Sequence, residues 1–163
     1  IIEYSINIPP DIAGGHYGVL FFERVPENTQ SEVSGVKIVT RVGSLFFIEP
    51  KDKIKKATVQ DIKITSDGLS GGFSNQGNVI LIPRITYYVL NTEGMVVDRG
   101  EAKKMYAPPG AAASWNIAFP SKLRLTQFTF VINFDLQEGD VVVKEVDVTS
   151  DGFGNFTIQN VRD

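Results

Sequence analysis

The residues able to do chemistry in this chain are few and far apart. Its single histidine, His16, sits in the run GGHYGVLFFE (Gly14 to Glu23), and it has no cysteine. Histidine is the one side chain able to act as a general base near neutral pH without a large pKa shift. That role needs a nucleophile or carboxylate held beside it, and no motif here places one there. One histidine also falls short of the three or four N or S ligands that zinc takes. The absence of cysteine removes disulfides, thiolate catalysis and Cys-based metal sites together. Neither a G-x-S-x-G nor a P-loop nor a dinucleotide-binding motif occurs, and GLSGG (Gly68 to Gly72) has no following helix to aim at a phosphate. His16 therefore reads as structural, packing or hydrogen-bonding near the tip of a hairpin. Gly14 and Gly15 read as turn residues with φ > 0, and Gly18 as room for a neighbour or a bulge.

Two acidic stretches invite a calcium reading. SDGFGN brings Asp151 and Asn155 close to Gly152, and DLQEGD brings together Asp135, Glu138 and Asp140. Calcium takes 6 to 8 oxygens, and neither stretch has the spaced pattern of a dedicated loop, so both read as solvated turns. No catalytic residue, metal ligand or cofactor is expected, and the chain does not read as an enzyme.

Aromatic side chains offer a different chemistry, stacking against sugar rings or anchoring a protein partner. Tyr87, Tyr88 and Trp115 form the candidate surface, with Tyr106 as a further ring. Because Tyr87 and Tyr88 are adjacent in a strand-like run, one must face outward if the other faces in. The lysines at 51, 53, 55 and 56 form the one basic cluster and read as solubilising charges.

Composition narrows the partners. The 163 residues are 42% hydrophobic and 21% charged, with a net charge of -3. Such a chain folds around a core. It presents no broad positive field for nucleic acid or an anionic membrane. No apolar run reaches the roughly 18 residues a membrane helix needs, and no signal peptide or anchor is visible. Opening on IIEYSINI, without Met and already alternating, the chain reads as a piece of a longer protein.

Positioning falls to β-strands. Alternating or wholly apolar runs of β-formers recur between Gly, Pro, Asn and Asp turns, the pattern of a sandwich or barrel. Strands are expected at 2–8, 16–25, 36–49, 58–66, 79–91, 95–106, 112–119, 126–136, 141–149 and 154–160. In FTFVINFDL, Phe128, Phe130, Ile132, Phe134 and Leu136 share one face. Pro83 predicts an edge or bulge within VILIPRITYYVLN, and NTEG and QEGD predict hairpin turns. TSDG occurs twice, at Thr65 to Gly68 and Thr149 to Gly152, as two similar strand exits. The charged stretch EPKDKIKKA suggests a division into residues 1–50, the closing strands of a first sandwich, a linker at 51–57, and a second sandwich at 58–163. Three strands cannot cover both faces of a sandwich, so the first module is expected to be incomplete.

The segments INIPPDIAGGHYGVLFFERV, VKIVTRVGSLFFIE, FSNQGNVILIPRITYYVLNTEG and YAPPG followed by Trp115 resemble bacterial and archaeal cell-surface proteins with tandem immunoglobulin-like domains. The order of features is similar to that of WxL-interacting cell-wall proteins and, more distantly, pilus chaperones. Ile80 stands where the pattern has His, and the segment after Gln137 runs longer. The resemblance implies an all-β fold of immunoglobulin-like antiparallel sandwiches in a noncatalytic extracellular protein of the cell surface. Its work would be display, adhesion or protein interaction through exposed sheet edges and loops. The candidate pairing edge is Gly18, Val19, Leu20, Val36 and Ile38, two runs with no sheet partner evident beyond one another. Expected partners are other surface proteins or cell-wall polymer, with dimerisation or strand exchange through the incomplete module. Nucleic acid and direct membrane insertion are not expected. The alternatives are a module binding wall polysaccharide or peptidoglycan and, second, a pilus-type chaperone.

Overall fold

A computed structural model describes residues 3–10, 14–24, 39–119 and 126–163. Its strands are β1 (His16–Glu23), β2 (Arg41–Ile48), β3 (Ala57–Thr65), β4 (Gly68–Asn75), β5 (Arg84–Leu90), β6 (Val96–Glu101), β7 (Ala112–Ala118), β8 (Gln127–Gln137), β9 (Asp140–Ser150) and β10 (Phe156–Arg162). Every ladder is antiparallel, and no helix occurs among the described residues. The fold is all-β.

Three sheets form: β1-β2 alone, β3-β4-β7, and β10-β9-β8-β5-β6. The last two face each other across one core. From the five-stranded side come Ile85, Val89, Phe130, Ile132, Phe134, Val146 and Val148; Val59, Leu69, Phe73, Trp115 and Ile117 meet them from the other. Phe134 is the keystone, stacked 5.9 Å from Phe73 and edge-on 5.3 Å from Trp115. The period-two pattern of β8 explains why: Phe128, Phe130, Ile132, Phe134 and Leu136 are all buried, while Thr129, Val131, Asn133 and Asp135 are half-exposed on the outer face. Burying five such side chains at about 1.5–3 kcal/mol each makes β8 the chief stabilising strand.

Three local expectations need correction. Residues 3–9 lie outside any ladder, so the strand expected at 2–8 is not formed over its described part. The run 79–91 becomes a strand only from Arg84, with Leu81 making a single bridge to Ala107. Pro83 explains this, since β5 lies between β6 and β8 and a proline cannot donate to either neighbour. The glycine-rich stretch from Gly68 forms β4, where no strand was expected, in the middle of its sheet. Gly71 is required there, because a Cβ would lie 2.7 Å from the Trp115 ring. Both TSDG stretches mark hairpin turns, β3 to β4 and β9 to β10.

Candidate functional site

The strand pair β1-β2 is built like the sandwich strands but lacks their cover. Its register runs unbroken from His16 opposite Ile48 to Glu23 opposite Arg41. One face carries Tyr17, Val19, Phe21, Leu45 and Phe47, with exposures from 40% to 58%. Arg41 closes its far end, its guanidinium 4.2 Å over the Phe21 ring and 3.8 Å from Glu23. Gly43 makes room for that ring, since a Cβ there would meet it at 2.9 Å. On the opposite face Phe22, Phe46 and Ile48 are half-buried and Tyr4 packs edge-on against Phe46, while Leu20 and Val42 are exposed. The five apolar side chains Tyr17, Val19, Phe21, Leu45 and Phe47 form an exposed patch along the strand pair.

Gly18, Val19 and Leu20 lie in the middle of β1, opposite Phe46, Leu45 and Ser44, and among the described strands β1 has no second neighbour. Val36 and Ile38 lie outside the described residues. Gly18 neither bulges nor yields to a neighbour, because the register is continuous and nothing lies within 4 Å of its missing Cβ. Gly14 has the expected positive φ of 78°, whereas Gly15 does not. His16 opens β1, exposed, beside the sandwich rather than at a hairpin tip.

The junction between strand pair and sandwich is a set of hydrogen bonds centred on Asn78. Its carbonyl accepts from the Gly15 N–H at 2.6 Å. Its side chain accepts from the Ile54 N–H at 2.7 Å and donates to the Asp52 carbonyl at 2.9 Å, while its own N–H donates to the Ile54 carbonyl. Close approach demands glycine on both sides. A Cβ at Gly77 would sit 2.0 Å from the Ile54 oxygen, and one at Gly15 would sit 2.9 Å from the Asn78 oxygen. Asn75, buried in the same turn, donates to the Val79 and Ala107 carbonyls at 2.7 and 2.8 Å and accepts from the Gly77 N–H. These asparagines went unnoticed as site residues in the sequence. The signal was their pairing with glycine in NQGN, since Asn beside Gly supplies local backbone caps.

The lysine-rich segment is clamped as well. Lys55 donates to the Leu136 carbonyl at 3.2 Å and pairs with Glu138 at 3.0 Å; Lys53 pairs with Glu49 at 2.5 Å and approaches Glu138 at 3.7 Å. Lys53 and Lys55 thus grip the β8-β9 turn, a role beyond solubility. The hydrogen bond from Lys55, then the charge of Lys53, hold the Glu138 carboxyl below its ordinary pKa.

The acidic turns spend their oxygens internally. Asp135 accepts from the Gln137 N–H. Asp151 accepts from the Phe153 and Asn155 N–H groups and the Asn155 amide, and the Asn155 amide foremost lowers its pKa. Among the described residues no three His, Asp or Glu side chains gather to hold a metal.

The aromatic surface does not assemble. Trp115, 3% exposed, lies in the core against Phe134 with its indole N–H directed at the Gly72 carbonyl at 3.4 Å. Tyr87 also points inward, its ring 6.1 Å from Phe130 and over Gly100, and burial raises its pKa. Of these three only Tyr88 faces out, at 36% exposure, and the further ring Tyr106 is also exposed. The reason is the period of two: the inward sides of β5, beside β8, and of β7, in the facing sheet, carry large rings that fill the core. A groove of about 370 Å³ with a mixed lining brings Asn91, Gln127, Thr129, Asp147 and Gln159 together with Phe128 and Val148. Thr129 donates to Asp147 at 2.8 Å, and Arg162 joins Asp147 and Glu145; Arg162 is the main cause of the lowered Asp147 pKa.

No known family model matches the chain, and no curated protein matches it.

Proposed function

We propose that this chain is a noncatalytic extracellular surface protein, acting in display, adhesion or protein interaction through exposed sheet edges and loops. One observation carries this reading: β1-β2 is a well-registered ladder whose broad apolar face and outer edges have no partner among the described residues. Such a pair fits one wall of a first sandwich at residues 1–50, with further strands presenting alternating apolar side chains to Tyr17, Val19, Phe21, Leu45 and Phe47. The order β3-β4-β7 against β6-β5-β8-β9 supports an immunoglobulin-like assignment for the second module, with β10 added at the edge.

The test is a photo-crosslinking residue at Val19 in protein displayed by intact cells. Attachment to a β-strand of a neighbouring polypeptide, with surface labelling by antibody, is the expected result. Confinement inside the cell would end the proposal.

A module for wall polysaccharide is the second reading. Without Trp115 it would rest on the groove around Thr129, Asp147 and Gln159; glycan binding abolished by Asp147→Ala is its test. A pilus-type chaperone expects a basic cleft between modules, whereas the open groove there sets Glu49 and Asp52 beside Lys51.

A further inference from the structure

Among the described residues the sandwich has four edge strands, β3, β6, β7 and β10. An edge is a row of unpaired backbone groups, and proteins guard such rows with bulges and charges. Three of the four are guarded in that way. β3 carries an inserted residue between Gln60 and Lys63, with Asp61 at φ 52°. β6 skips Val97, pairing Asp98 with Val89 and Val96 with Leu90, and bears Asp98, Arg99 and Glu101. β10 carries Gln159 as an extra residue, and its Arg162 binds Glu145 and Asp147.

β7 has none of these devices. Its seven residues, AASWNIA, contain no charge and no proline and pair with β4 in one unbroken register from Ala112 opposite Ser74 to Ala118 opposite Gly68. Just beyond its ends, Phe119 donates to the Asp67 carbonyl and Ala111 accepts from the Asn75 N–H. Odd-numbered residues therefore direct their backbone groups toward β4. By the period of two, Ala112, Ser114, Asn116 and Ala118 direct theirs outward, and these four are also the exposed side chains.

We propose that β7 is a self-pairing edge, joining two copies of this chain about a two-fold axis through Trp115. In that antiparallel register Ala112 meets Ala118 and Ser114 meets Asn116 of the second copy. All four belong to the outward-directed set, so each opposed pair exchanges both its hydrogen bonds. No like charges oppose one another, and Ser meets Asn with a donor and an acceptor on each side. A copy of the same strand is thus the partner whose chemistry matches this edge throughout, and the two-fold closes the pair so that no open fibre forms. The interface is far smaller than the roughly 800 Å² per partner of a stable complex, so pairing belongs to the weak class. It concerns a different surface from β1-β2 and stands apart from the function proposed above.

Sedimentation of the full chain between about 10 µM and 1 mM tests this, a range suited to a weak contact. The expected result is a monomer passing to a dimer. Ser114→Lys with Asn116→Lys sets like charges opposite each other and should abolish dimerisation. Ser114→Lys with Asn116→Glu sets opposite charges face to face and should lower the dimerisation concentration about tenfold or less. Ser114→Pro removes only an outward N–H and should also give a monomer, with the emission of Trp115 reporting an intact core. A monomer at 1 mM overturns the proposal. So does a dimer insensitive to these changes, and one lost instead with Val19→Asp would assign association to β1-β2.

Discussion

The sandwich and the β1-β2 pair use the same strand grammar and meet opposite fates. β8 sets Phe130, Ile132 and Phe134 against a second sheet and buries them fully, whereas β1 sets Tyr17, Val19 and Phe21 in the same alternation and leaves them half in water. The lesson is that alternation specifies a ladder and a face, while stability comes from what covers the face. Among the described residues one region buries its apolar face and the other leaves it exposed.

Substitutions can break or sharpen this contrast. Phe134→Ala removes the ring shared by Phe73 and Trp115 and should cost about 3–5 kcal/mol in urea unfolding, while Phe21→Ala on β1 should cost about 0.5 kcal/mol or less. Equal losses would erase the distinction. Next in size, Asn75→Ala leaves the Val79 carbonyl and the Gly77 N–H without a partner and takes one of two donors from the Ala107 carbonyl, and a loss of about 2–3 kcal/mol is expected from the same experiment. Asn78→Ala acts at the boundary. It should speed hydrogen exchange at the Ile54 amide about five- to tenfold, as loss of a hydrogen bond worth roughly 1 kcal/mol implies, with β8 amides unchanged. An equal change in β8 would mean that the joint and the core are one cooperative unit.

The smallest effect is a dependence on pH. The Glu138 pKa is depressed in the folded chain, so its contribution is full above the unfolded value of about 4.3 and is lost as pH falls through the folded one. Exchange at residues 53–55 should accelerate across that acid window, and Glu138→Gln should make the profile flat there.

Much of the ladder was legible from residues alone, because β1, β3, β8, β9 and β10 alternate or run apolar between turn residues. β4 was not, since Gly68, Gly71, Gly72, Ser70 and Ser74 carry low β propensity and their reason lies in Trp115 and the Ile117 carbonyl, distant in sequence. For the site, the apolar runs of β1-β2 were visible. Which face of β7 held Trp115 depended on where Phe134 would stand, and the joint at Asn78 depended on backbone atoms brought together from three segments.

That joint has an evolutionary corollary. Because Asn78 grips main-chain groups of Asp52, Ile54 and Gly15, the side chain at position 52 is not called on, and position 54 asks only for a residue other than proline, whose backbone has no N–H to donate. Side chains along this joint are thereby free to vary, while the attachment asks for glycine at 15 and 77 and asparagine at 78.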